Sequence, residues 1–185
     1  FFTVQRLRDG RSFALRTVDA HQDDRHLFTM TVSCHVDAAG PGLQDTLAPE
    51  APAPEELPVL PVEHLFGLEA RLPPQPVSGP WPTRYWVRAH DAVPDLPRAD
   101  ACVLAYLSDT CTPLFPAGRA HHGPTVSHSI WFHRRVNVRE WLLVDLERRS
   151  VAHGIGYYTG AIFDQVGRLV ASIAQEAVFG AQAES

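Results

Sequence analysis

Pro97-Arg98-Ala99-Asp100-Ala101-Cys102-Val103-Leu104-Ala105-Tyr106-Leu107-Ser108-Asp109-Thr110-Cys111 is the one stretch of this sequence that reads as a helix. Pro97 opens it, and Pro113 ends it. Cys102, Val103, Leu104, Tyr106 and Leu107 fall on one broad apolar face. The pattern predicts a helix from Arg98 to about Cys111.

On either side of this helix the period changes to that of strands. Phe66 to Leu72 and Arg84 to Ala89 precede it, separated by a proline-rich loop from Pro73 to Pro82. Thr125 to Arg134, Glu140 to Leu146, Gly154 to Phe163 and Leu169 to Val178 follow it, the last two joined by Asp164-Gln165-Val166-Gly167. One helix among mostly antiparallel strands is an α+β layout, with the sheet expected to wrap around the helix.

Farther out, the first residues form a separate set. Phe2 to Leu7 runs into Asp9-Gly10, a hairpin signal. Phe13, Leu15, Thr17 and Val18 continue a second strand, Gln22 to Arg25 is a polar turn, and Leu27 to Cys34 alternates as a half-buried strand does. Such a three-stranded meander is only marginally stable alone. Residues 37–61 carry Pro41, Pro49, Pro52, Pro54, Pro58 and Pro61 and are expected to support neither ladder nor helix. The expected division is therefore 1–36, a linker over 37–61, and 62–185. The chain starts at Phe1, inside a strand pattern, and reads as part of something longer.

Composition narrows the chemistry. The chain has 185 residues, 45% hydrophobic and 20% charged, with a net charge of −5. All 16 basic residues are arginine, which excludes Schiff-base chemistry and a P-loop lysine. No basic tract suggests a nucleic-acid partner. Apolar runs are strand-sized, so no membrane span is expected. Cys34, Cys102 and Cys111 lack C-x-x-C spacing and fit reduced thiols in the cytoplasm better than a disulfide framework or a zinc site.

Three segments carry a family resemblance. They are Leu7-Arg8-Asp9-Gly10-Arg11-Ser12-Phe13, then His128-Ser129-Ile130-Trp131-Phe132-His133-Arg134 with Glu140-Trp141-Leu142-Leu143 after it, then Asp164 to Glu176, ending in Ala174-Gln175-Glu176. With Tyr106-Leu107-Ser108-Asp109, they resemble the TesB-like acyl-CoA thioesterase II family in its order. The resemblance implies a hotdog fold, a sheet wrapped around a central helix, in a tandem double hotdog. It also implies an incomplete first hotdog, since family members carry an N-terminal part with that hotdog's first strand and long helix. The uncovered sheet of residues 1–36 makes association into a homo-oligomer an expectation.

The family holds and activates one water with an Asp, a Thr or Ser, and a Gln. By motif these fall on Asp109, Thr125 and Gln175. The implied reaction is hydrolysis of an acyl-CoA thioester to a fatty acid and coenzyme A. Asp109 would take the water's proton, and Thr125 and Gln175 would hold the water. Backbone N–H groups near the start of the helix are candidate oxyanion donors. Arg134 and Arg135 are candidates for the phosphates of coenzyme A, and His128 and Trp131 for further substrate contacts. No cofactor or metal is implied. The chain departs from the family at Ser127, where Asp is usual, and at Ala177, where Gly is common.

Other constellations fit less well. There is no G-x-S-x-G elbow. Gly154, Gly156 and Gly160 have neither the spacing nor the helix of a dinucleotide loop. His121, His122, His128 and His133 lack a carboxylate to complete a metal site. A hotdog hydratase would want a histidine where Leu114 stands. The serious alternative is a non-catalytic hotdog protein that binds acyl chains or acyl-CoA.

Overall fold

A computed structural model describes residues 1–60, 67–76, 82–90, 93–96, 98–109 and 121–180, with the side chains of 121–123 and Gly180 outside that description. Phe66, Pro97, Cys111, Pro113, Leu114 and the side chains of His121 and His122 therefore lie outside the described residues. The chain divides into two compact units, Phe1–Leu43 and Gln44–Ser185.

The first unit is the expected meander: β1 (Phe2–Asp9), β2 (Phe13–Gln22) and β3 (Arg25–His35), antiparallel in that order. The β2–β3 turn places Asp23 at φ 50°, a left-handed conformation that Asp tolerates. Register puts Phe2, Ala20 and Phe28 in one row and Val4, Val18 and Met30 in the next. These rows share a face, because side chains alternate across a strand.

The second unit holds β4 (Val59–Leu60), β5 (Leu68–Arg71), β6 (Arg84–Ala89), α1 (Ala99–Ser108), β7 (His121–Phe132), β8 (Leu142–Ala152), β9 (Ile155–Asp164) and β10 (Leu169–Gly180). They form a seven-stranded antiparallel sheet in the order β4-β5-β6-β8-β9-β10-β7. At its centre the run Leu142-Leu143-Val144 of β8, with Trp141 before it, is buried on both faces of the sheet. Tyr85, Val87, Leu142, Val144, Ile162 and Ile173 point to one side, where Leu104 and Leu107 of α1 join them in the main core. This is the hotdog arrangement of α+β class.

The opposite face buries Trp86, Trp141, Leu143 and Phe163, with Ala48, Ala51 and Leu57 packed over them. Thus the proline-rich segment, read as a linker over 37–61, lies on the second unit from Gln44 onward. Trp86 Nε1 donates to Pro52 O at 3.0 Å, and Gln44 Nε2 to Gly167 O at 2.9 Å. Within it Pro54–Glu56 forms a 3-10 turn and Val59–Leu60 a short strand, although neither was expected. Proline is tolerated at the first helical position, where its missing N–H would have no partner anyway.

Two further differences bear on the site. The helix stops at Ser108 rather than near Cys111, so Asp109 is its C-cap. Its buried stripe is Leu104, Leu107 and Ser108, while Cys102 and Tyr106 are exposed. The Gly123-Pro124 pair, read as a turn before Thr125, lies inside β7. Proline is acceptable there because β7 is the outermost strand of the sheet. At the β8–β9 hairpin His153 and Gly154 both have positive φ, 52° and 76°, as a type I′ turn needs.

Candidate active site

Asp109, Thr125 and Gln175 meet. The Thr125 hydroxyl donates to Asp109 Oδ1 at 3.0 Å. Gln175 Nε2 donates to the same Oδ1 at 2.6 Å and to Thr125 Oγ1 at 2.9 Å. Gln175 is 1% exposed, while Asp109 and Thr125 are half-buried. Both N–H groups of the Gln175 amide are thereby used. Among the described residues, the hydrogen bonds to Asp109 fall on Oδ1.

Three elements supply these side chains. Asp109 follows the last helical residue, so the end of α1 aims it at the sheet. Gln175 is on β10, directly opposite His128 of β7. Thr125 comes three residues before His128, a spacing that puts two side chains on opposite faces of a regular strand. The ladder shifts here: Glu176 pairs with Ser127, but Ala177 pairs with Thr125. β7 thus carries one extra residue, a bulge that turns Thr125 back to the helix-facing side.

A second layer lies behind the amide. Gln175 Oε1 is 2.6 Å from His128 Nδ1, and His128 Nε2 is 2.8 Å from Ser108 Oγ. Ser108 Oγ is also 2.7 Å from Ala105 O. His128, expected at the substrate, has both ring nitrogens engaged by protein side chains. Ser108 was not singled out from the sequence. Its signal was there: it stands four residues after Leu104 on the buried stripe, where a hydroxyl needs partners.

The other candidates do not join this group. Trp131 lies on the face of β7 opposite Ile130, which packs on the main core, and is largely exposed. Arg134 donates to Leu169 O at 2.5 Å, at the start of β10. Gln175 comes six residues after Leu169 along β10, roughly 20 Å. Arg135 is exposed and follows Arg134 beyond β7. His133 bonds Ser172 Oγ at 2.8 Å on the outer face; partial desolvation and then the Arg134 charge hold it below the ordinary histidine value of 6.5. The N–H groups at the start of α1 are ten residues from Asp109, about 15 Å along the axis, too far to face a water held there. Ser127, the departure from the family pattern, is exposed and donates to Glu176 Oε2 at 2.9 Å, away from the cluster. Ala177 is fully buried beside the bulge.

Residues 33–179 match the family model described as the acyl-CoA thioesterase C-terminal domain. "Acyl-CoA thioesterase 2" of Haemophilus influenzae is 30% identical over 95% of this chain and 71% of that protein. The crystal structure of acyl-CoA thioesterase II TesB2 from Mycobacterium marinum is similar with a TM-score of 0.80 and 31% identity, over 100% of this chain and 75% of that one. A hotdog-fold protein from Alicyclobacillus acidocaldarius, 18% identical with a TM-score of 0.75 over 98% of this chain and 73% of its own, supports the fold alone. The chain spans 66% to 71% of the length of the curated relatives it matches. By the family-model match over residues 33–179 and these similarities, the chain belongs to the TesB-like acyl-CoA thioesterase II family.

Proposed function

We propose that this chain hydrolyses acyl-CoA thioesters to a fatty acid and coenzyme A, using Asp109 as general base with Thr125 and Gln175. The observation that carries the reading is the convergence of Thr125 and Gln175 on Asp109 Oδ1, with a further bond from Gln175 to Thr125. In the proposed step a water donates a hydrogen bond to Asp109 Oδ2. Its oxygen attacks the thioester carbonyl carbon while the proton passes to Asp109. The tetrahedral oxyanion then collapses, the C–S bond breaks, and the proton returns to the leaving thiolate. Asp109 ends as it began, and no covalent intermediate forms. Thr125 and Gln175 remain neutral throughout. Expected from the family to hold the water, they donate to Asp109 Oδ1 and in this reading hold the carboxylate in place.

Arg134 and Arg135 are proposed to meet the coenzyme A phosphates, at the far end of a long pantetheine arm. Free thiols at Cys34 and Cys102 suit a reducing compartment, and the cytoplasm is the proposed location. Among the described residues no helix is long and apolar enough to cross a membrane. Further association into a homo-oligomer is part of the same proposal.

The test is coenzyme A release from a panel of acyl-CoAs of different chain length. Asp109→Asn is expected to lower kcat by roughly a hundredfold or more. Folded protein that binds acyl-CoA but releases nothing at any length would support the binding protein and sink the enzyme.

A further inference from the structure

We infer that His128 is the positioning residue for Gln175: its Nδ1–H fixes which way the amide points, and Ser108 holds the imidazole in place. The inference rests on the reading of Asp109, Thr125 and Gln175 given above and deepens it.

The two ends of a glutamine side chain have almost the same shape, so shape does not choose between them. Hydrogen bonding does. A carboxylate is an acceptor only, so the end of Gln175 that lies 2.6 Å from Asp109 Oδ1 must be NH2. Oε1 then faces His128 Nδ1 at 2.6 Å, and an amide oxygen is an acceptor only. Nδ1 must therefore carry a hydrogen.

The far side of the ring agrees with this in either of two proton arrangements. Ser108 Oγ lies within reach of both Ala105 O and His128 Nε2. If the hydroxyl donates to Nε2, the ring is the neutral Nδ1–H tautomer. If it donates to Ala105 O, Nε2–H donates to Ser108 Oγ and the ring is an imidazolium. Both keep the hydrogen on Nδ1, so both give the amide the same direction.

Without this donor the amide is free to turn over. Turned, Oε1 would face the Asp109 carboxylate, acceptor against acceptor, and the carboxylate would move. Ser108 is fully buried and Gln175 nearly so, so water is poorly placed to substitute for the ring. The expected defect is therefore in kcat. His128 does not reach the substrate, because both its nitrogens are taken, and KM should change little.

Two measurements test this. The first is coenzyme A release by His128→Ala and His128→Asn beside the Asp109→Asn variant. Asparagine can offer an N–H close to the position of Nδ1. His128→Ala should lower kcat between about tenfold and a hundredfold, the scale of a group displaced by ~1 Å at a reacting centre. KM should stay within about threefold, and His128→Asn should recover most of the loss. Equal losses in the two folded variants, a rise in KM alone, or no loss at all would overturn the inference. If Asp109→Asn is as active as the parent chain, the reading of the catalytic residues fails instead.

The second measurement needs no activity. In protein labelled with 15N-histidine, long-range nitrogen–proton correlations at neutral pH report which ring nitrogen of His128 bears hydrogen, with His128→Asn to assign the signal. A protonated Nδ1 is expected. A bare Nδ1 with hydrogen on Nε2 alone would overturn the inference, whatever the kinetics.

Discussion

The two sheets are built from the same kind of strand yet differ in what covers them. In the three-stranded sheet Phe2, Val4, Phe28 and Met30 share a face and are each 46% exposed or more. In the seven-stranded sheet Tyr85, Val87, Leu142 and Val144 are 0% exposed, because α1 lies against them. The opposite face is covered too, by residues 44–57 over Trp86 and Trp141. Alternation makes an apolar face; only a second layer turns that face into a core. The candidate site follows the same rule. It forms where the covering helix ends, with Asp109 capping α1 against β7 and β10.

The largest test of this contrast is truncation on each side. Leu107→Ala in α1 should lower the unfolding free energy by about 2–5 kcal/mol, the cost of a cavity in a packed core. Met30→Ala should change it by about 0.5 kcal/mol or less, as an exposed position does. Urea denaturation of both variants makes the comparison. A loss at Met30 equal to that at Leu107 would show that something covers the first sheet in solution.

Charge sharpens the contrast at a smaller scale. Glu69 takes Arg71 at 2.5 Å and Arg88 at 2.7 Å, and both guanidiniums stand over the Trp141 ring. Burial would raise the Glu69 carboxyl, but hydrogen bonds from Arg88 and Arg71 outweigh it and hold it below its ordinary 4.5. Its stabilisation is therefore present above pH 4.5 and lost as pH falls through the lower folded value. Glu69→Gln should cost about 2 kcal/mol at neutral pH and flatten that acid limb. In the first sheet the more exposed His26–Asp19 pair, 3.7 Å apart, should contribute about 0.5 kcal/mol or less.

The smallest effect lies at the rim of the larger sheet. The folded state holds His133 below 6.5, so protonation opposes folding. Stability should be full above pH 6.5 and decline shallowly as pH falls toward the folded value. His133→Gln should remove that part of the slope in thermal melts between pH 5 and 7, an interval chosen around the usual histidine range.

Much of this was legible in the sequence. Period-two runs located β1 to β3 and most strands of the second unit. The single 3.6-period stretch located α1. The motif residues Asp109, Thr125 and Gln175, far apart in the chain, meet in the fold. The proline-rich segment was harder. Its prolines marked irregular backbone, but the Trp86 indole that receives its residues lies on a strand more than thirty positions away.

What the sequence determined by itself was local: which stretches alternate, where the helix runs, and which residue types could activate a water. Local rules suffice there because backbone period and turn chemistry act over a few neighbours. The tertiary structure alone decided the rest. The bulge beside Ala177 reversed the face of Thr125, since a ladder shift depends on the partner strand. The pairing of β7 with β10 set His128 against Gln175, and the end of α1 brought Ser108 and Asp109 to them. Hydrogen-bond direction in that cluster follows from which acceptors face which donors, and only the packed chain brings them face to face.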